Sequence, residues 1–249
     1  MQRARLVSLN IEHSKHLDLV VPFLISKNAD IVCLQEVRES DIADIAATVG
    51  ARYIFAPMTR QTHEGKENVV GIAILSPLMI EKHEVAFYTG DRELPKSDTA
   101  DEPTYNNKLS PMLFCDIRVR DELYRVGTTH FTWTPDGSAS EEQRVHMNAL
   151  LAIVGPKEDL ILCGDFNAPR GGEIFGMLSS RYTDNIPPQY KTSLDLDLHR
   201  AAKDKRDELE DKMVDCLFTT PAYECSHVHL ESGVSDHMAV IAEVRKKHT

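Results

Sequence analysis

The stretch RLVSLNIEHSKHLDLVVPFLISKNADIVCLQE, residues 5–36, decides the fold class. Arg5 to Leu9 reads as a strand, and Ile31 to Leu34 as a second, buried strand. Between them Leu17 to Lys27 reads as a helix, with Leu17, Val20, Val21, Leu24 and Ile25 at helical spacing. Strand, helix and strand in that order form a βαβ opening, whose two strands lie side by side. Each strand ends in polar residues, Asn10 and Glu12 on the first, Gln35 and Glu36 on the second. The topology therefore brings Asn10, Glu12 and Glu36 together, and hard oxygen ligands of this kind suit Mg²⁺ or Mn²⁺.

Outward from this opening, strands and helices continue to mix. A helix is expected from Asp41 to Thr48, then strands at Arg52 to Ala56, Val69 to Leu75 and Met79 to Ala86, with Ser76-Pro77 as the turn between the last pair. Met112 to Val119 and Leu123 to His130 read as an antiparallel pair joined by Arg120-Asp121-Glu122. A helix from Ser140 to Val154, a strand from Leu160 to Cys163 and a short helix from Gly172 to Ser179 follow. Val214 to Thr219, His227 to Leu230 and Met238 to Val244 read as the closing strands. The mixture implies two packed sheets flanked by helices.

The chain has 249 residues, 42% hydrophobic and 27% charged, enough to bury a substantial core. No linker or repeat divides it, so residues 1–249 are expected to form a single domain. The start is too short in apolar residues for a secretion signal, and no run of about 18 apolar residues occurs, so a cytoplasmic, monomeric protein without membrane insertion is expected. The five cysteines are odd in number, lack paired metal-ligand spacing and read as core residues in a reducing compartment. A net charge of -11 offers no global attraction for a polyanion. It does not exclude a nuclease, because a bound cation and a few local bases can hold one phosphodiester.

Two further strings carry chemistry. In Gly164-Asp165-Phe166-Asn167 a carboxylate and a carboxamide stand two residues apart after a strand. Attack of water on a phosphodiester needs a base, which Asp165 supplies, and a donor for the charged transition state, which Asn167 supplies. An Asx-turn after a strand would use the same residues. In Ser235-Asp236-His237, a histidine that donates to phosphate must be held charged and oriented by a carboxylate. Asp215, set in the apolar run Met213-Val214-Asp215-Cys216-Leu217-Phe218, is the natural partner, since it would be costly to bury alone. A helix or strand cap is the alternative for this string.

In order, SLNIE, CLQEV, TTHF, CGDFN, MVDCLF and GVSDH resemble the motif set of the endonuclease/exonuclease/phosphatase superfamily over nearly the whole chain. That superfamily includes DNase I, apurinic/apyrimidinic endonucleases, 5′-tyrosyl-DNA phosphodiesterases, neutral sphingomyelinases and inositol-polyphosphate 5-phosphatases. The resemblance implies a four-layer α/β/β/α sandwich of two packed mixed sheets, with the site at one edge. It also implies roles. Glu36 is then the principal Mg²⁺ ligand, with Asn10 and Glu12 nearby and Asp236 supporting the metal site. Asp165 activates water, Asn167 binds the transition state, and His237, oriented by Asp215, contacts the phosphoryl oxygen. His130 takes the place of a phosphate-facing His or Tyr, and Arg170 resembles, shifted by one position, a phosphate-contacting Arg of the tyrosyl-DNA phosphodiesterases.

The implied reaction is in-line attack of water on phosphorus with no covalent intermediate. DNA is the leading substrate class, and Trp133, the only tryptophan, is placed to stack on a base, sugar or aryl group or to anchor its loop. The alternatives are a small-molecule or lipid-headgroup phosphoesterase, or a catalytically silent binding module. Tyr88 to Ser110 is polar and reads as a rim loop, and Thr192-Ser193-Leu194-Asp195 lies where such nucleases place substrate-facing residues.

Overall fold

In β1 (Ala4–Asn10) the side chains alternate, Leu6 entering one apolar cluster and Val7 and Leu9 another, so the strand is buried on both faces. The computed structural model describes residues 3–63, 66–90, 93–97 and 105–247. After β1 come α1 (Leu17–Lys27), β2 (Ile31–Arg38), α2 (Glu39–Thr48), β3 (Arg52–His63), β4 (Lys66–Ser76), β5 (Met79–Thr89) and the two-residue β6 (Lys96–Ser97). β7 (Ser110–Val119), β8 (Glu122–His130), α3 (Glu141–Val154), β9 (Ile161–Asp165), α4 (Glu173–Ser179) and β10 (Thr183–Asp184) follow. α5 (Ala202–Leu209), β11 (Asp215–Thr219), β12 (Tyr223–Glu231) and β13 (Ala239–Lys246) complete the order.

Among the described residues the strands form a 7-stranded sheet, β12-β13-β1-β2-β4-β3-β6, and a 6-stranded sheet, β10-β11-β9-β8-β7-β5. Both are mixed, with β1 parallel to β2 in the first and β8 parallel to β9 in the second. One core lies between the sheets, where Leu6, Ile31 and Cys33 meet Leu113, Val126 and Cys163. Val20 and Ile42 of α1 and α2 cover the outer face of the first sheet, and Met147 and Phe175 of α3 and α4 that of the second. These are the four layers of an α/β/β/α sandwich.

The helices follow their sequence signals with one exception. Ser140 caps α3 by accepting a hydrogen bond from the Gln143 N–H, which the helix would otherwise leave without a partner. In α1, Ile25 of the expected stripe is 53% exposed and Phe23 is buried instead, so the stripe is rotated about the axis. The Ser76-Pro77 turn does not join paired strands: β4 and β5 belong to different sheets, and the chain crosses between layers there. Of the polar rim segment after Tyr88, residues 91, 92 and 98–104 lie outside the described residues.

Strand alternation places the site. Leu6 of β1, Cys33 of β2, Val126 of β8, Cys163 of β9 and Leu217 of β11 all face the core between the sheets. Counting in twos, the same faces continue into Asn10, Gln35, His130, Asp165 and Asp215 at one end of the strands. Asn10 is level with Gln35, and Asp165 is level with both His130 and Asp215. The inner core thus ends in polar groups from both sheets.

Candidate active site

Glu36 shows how local irregularity completes this polar end. Alternation alone would turn it away from the core, but β2 carries an irregularity between Leu34 and Val37, and Glu36 has φ 57°. The carboxylate is thereby re-aimed: it accepts from Asn10 Nδ2 at 3.3 Å and meets His13 Nδ1 at 2.8 Å and His130 Nε2 at 3.8 Å. Glu12, His13 and Ser14 form a tight turn with φ values of 43°, 56° and 60°, and the Glu12 N–H donates to Asn10 Oδ1 at 3.0 Å. Left-handed backbone at non-glycine residues is strained, and here it concentrates around one group of carboxylates.

Asp165 sits at the centre, buried, accepting from Asn10 Nδ2 of the other sheet at 3.1 Å. Its second oxygen accepts from the Asn167 N–H at 2.8 Å, which is the Asx-turn the string also allows. The turn, with Asn167 at φ 47°, takes the place of the extended continuation that would have aligned the two side chains. It leaves Asn167 Nδ2 donating to the Phe131 carbonyl at 3.1 Å.

His237 is reached from the other side. Its Nδ1 donates to Asp215 Oδ2 at 2.7 Å, and its Nε2 lies 3.8 Å from Asp165 Oδ2. Burial opposes a charge on the ring, but the carboxylates of Asp215, Asp165 and Asp236 outweigh it and hold its pKa well above the ordinary histidine value. The proton of the Asp215–His237 pair therefore rests on the imidazole. The 193–195 segment scaffolds this pair. Ser193 Oγ donates to Asp215 Oδ2 at 2.7 Å, and backbone hydrogen bonds join Asp195 to Asp236 and Met238 to Ser193. His130 is different: burial and then the nearby charge of Lys108 push its pKa down to about 3, so its ring is neutral.

Glu12, Glu36 and Asp236 supply the remaining carboxylates. Burial, with the like charges of Glu12 and Glu36, raises Asp236 to about 7. These carboxylates, gathered next to the Asn10 amide, fit a divalent cation bound by oxygen donors. Lys15 and His16 pair with the Glu12 carboxylate. Asp165, Asp215 and His237 also offer ligand atoms within 4.8 Å of one another, but the Asp215–His237 bond makes this trio a proton-holding group.

Arg170 and Trp133 lie farther out, each held by its own loop. Arg170 pairs with Asp184 at 2.9 Å and donates to the carbonyls of Ile186, Pro187 and Tyr190. Its guanidinium is thus engaged by that loop. Trp133 is half-buried, with the Tyr105 ring edge-on at 5.0 Å and Asn106 bonded to its backbone on both sides. Arg200 donates to the Tyr105 hydroxyl at 3.1 Å. His13, Lys108 and Arg200 were not anticipated, since only the fold brings each of them in, whereas Ser193 belongs to the expected Thr192–Asp195 segment and braces Asp215.

A model of the Endonuclease/Exonuclease/phosphatase family matches residues 7–237. The chain belongs to that family. Its members are phosphoester hydrolases and generally use divalent metals. A search of curated protein sequences found no match. Among solved structures, an endonuclease/exonuclease/phosphatase from Beutenbergia cavernae DSM 12333 superposes with a TM-score of 0.77 at 16% identity, covering 99% of this chain and 72% of that one. D. rerio TDP2 complexed with single strand DNA product gives 0.67 at 12% identity, over 99% of this chain and 100% of that one. A Bacteroides thetaiotaomicron VPI-5482 mannosyl-6-phosphatase gives 0.65 at 12%, over 97% and 99% respectively. Identities this low speak for the shared fold alone. Among the described residues no helix is long and apolar enough to cross a membrane.

Proposed function

We propose that this protein is a divalent-metal-dependent phosphoesterase that hydrolyses its substrate by in-line attack of water, with DNA as the leading substrate class. The observation that carries the reading is the position of Asp165. It touches the Asn10 amide on the carboxylate side and lies 3.8 Å from His237 Nε2 on the other.

In this reading Asp165 takes the proton of the attacking water, and Asn167 donates its amide N–H to the charge that builds on the phosphoryl oxygens. Asp215 keeps His237 protonated and fixes its ring, so that Nε2 donates to a non-bridging oxygen. Neutral His130 offers a hydrogen bond without adding charge. Glu36, Asn10, Glu12 and Asp236 would hold Mg²⁺ or Mn²⁺, which when bound neutralises charge on the phosphoryl and leaving oxygens. Trp133 and Tyr105 form an aromatic wall on which a base or sugar stacks.

A second reading, a small phosphate ester, is favoured by the net charge of -11, which offers a long polyanion no attraction. The relatives point both ways, one solved with a DNA product and one a sugar phosphatase. A substrate panel separates them: single-stranded, duplex, abasic and 5′-tyrosyl oligonucleotides beside sugar and inositol phosphates, each with Mg²⁺ or Mn²⁺. Cleavage of an oligonucleotide at the highest kcat/KM supports the first reading. Turnover of small esters alone overturns it in favour of the second.

A further inference from the structure

Among the described residues Lys108 is a buried ammonium without a counter-charge in contact. It is 8% exposed, its Nζ donates one hydrogen bond, to the Phe131 carbonyl at 3.0 Å, and among the described residues no carboxylate lies within ion-pair range of it. An ammonium carries three donors, so two are left over. Burying a charge in this way is costly, and a neutral donor would tie the same carbonyl without the cost. The arrangement is therefore suited to an anionic ligand.

Its position says which anion. The Phe131 carbonyl that accepts from Lys108 Nζ also accepts from Asn167 Nδ2, so the two nitrogens lie within about 6 Å of each other. The Phe131 N–H in turn donates to the Asp165 carbonyl at 2.8 Å, which locks this backbone unit to the central residue of the site. Lys108 is also close enough to feel Glu36 and Asp165 and to depress the basicity of His130. Its loop is pinned on either side, Asn106 to the Trp133 backbone and Leu109 to the Met58 carbonyl, so the ammonium is held rather than free to leave.

We infer that Lys108 is a phosphate-contacting residue, its Nζ and the Asn167 amide together grasping the non-bridging oxygens of the scissile phosphate. This rests on the phosphoesterase reading but adds to it a cation that the motif strings do not contain. Lys108 makes the pocket complementary to a phosphoryl group of higher negative charge than its neutral histidine and amide neighbours would hold.

The test uses Lys108→Met and Lys108→Arg in the full chain, with two readouts. Inorganic phosphate binding in Mg²⁺, followed calorimetrically, needs no turnover and no known substrate. The Met variant is expected to lose at least tenfold in phosphate affinity and on the order of 10²-fold in kcat/KM with the best ester found, with thermal stability unchanged or raised. The Arg variant is expected to recover part of both. Phosphate affinity and kcat/KM within threefold of wild type in the Met variant would overturn the inference. So would a joint loss of stability and binding in Met and Arg alike, which marks a structural tie to Phe131. If wild type binds phosphate through Lys108 yet hydrolyses no ester, the phosphate contact of Lys108 stands, while the phosphoesterase reading, and with it the scissile character of that phosphate, falls. If wild type hydrolyses esters and Lys108→Met does so equally, the reverse holds.

Discussion

Asp215→Asn isolates the electrostatic half of the site while leaving its shape in place. Asp215 Oδ2 accepts from His237 Nδ1 and from Ser193 Oγ, both at 2.7 Å, and both residues are buried. Opposite unit charges at that separation attract by about 6 kcal/mol at an effective dielectric near 20, before desolvation is subtracted. Breaking such a pair from one side typically costs about 3–5 kcal/mol, because the remaining charge is left buried alone. The imidazole avoids that cost by releasing its proton. His237 is therefore expected to fall from well above the ordinary value, since burial then opposes its charge without the carboxylate that most strongly supports it. At pH 7.5 the variant then presents a neutral ring to the phosphate and loses on the order of 10²–10³-fold in kcat. The sign of the pH dependence follows: activity needs the protonated ring, so the wild type holds its activity as pH rises from 6 to 8, whereas the variant's residual activity increases on acidification. The assay is hydrolysis of a chromogenic phosphate ester in Mg²⁺ across this range, beside ¹⁵N NMR titration of the ring. A variant within threefold of wild type at pH 7.5, or a His237 still charged there, would refute the reasoning.

Further perturbations reach the other parts. Glu36→Gln removes a carboxylate from the group with Glu12 and Asp236, and Mn²⁺ affinity by calorimetry should weaken at least tenfold; unchanged affinity would move the cation elsewhere. Trp133→Ala removes the aromatic wall beside Tyr105 and should raise KM for base- or aryl-bearing esters several-fold with kcat little changed, so an equal effect on a methyl ester would argue against stacking. Gly164→Ala adds a Cβ 2.2 Å from the Thr129 carbonyl at φ 135°, and should cost roughly 3 kcal/mol or more, a fall in Tm of about 6–12 °C. Burial lowers Lys108 to about 8, against the attraction of Glu36, Asp165 and Glu142, with His130 and His146 the other titratable groups that sense it. Between pH 8 and the ordinary lysine value near 10.4 the unfolded chain binds more protons, so this group makes stability rise with pH. In EDTA, Lys108→Met should therefore exceed wild type by up to about 3 kcal/mol below pH 8, with the gap closing toward pH 10 in urea melts; a gap independent of pH would contradict it.

The layered fold was legible because its central strands, such as β1, β7 and β9, are buried on both sides and its helices on one, so apolar periodicity changes visibly along the chain. The parallel pairing of β1 and β2 followed from the helix between them, and with it the meeting of Asn10 and Glu36. What escaped is what local pattern does not encode. Ser76-Pro77 carries the same turn signal whether the next strand pairs or crosses to the other sheet. The β2 irregularity that re-aims Glu36 leaves no compositional trace, since any residue pair can bulge. Arg170 reads as a free base near a phosphate site until Asp184, brought in by β10, is seen to hold it. Lys108 reaches the site through long-range packing, by way of the Phe131 carbonyl. Residues within polar strings at strand ends were readable, whereas single polar residues in loops were not.

The most direct measurement of the central claim compares wild type and Asp165→Asn in single-turnover hydrolysis of a phosphate ester in H₂¹⁸O, with Mg²⁺ and with EDTA. The expected result is one ¹⁸O per phosphate released, strict dependence on the added metal, and loss of turnover on the order of 10²-fold or more in the variant. Hydrolysis that persists in EDTA, or that Asp165→Asn leaves intact, would contradict it.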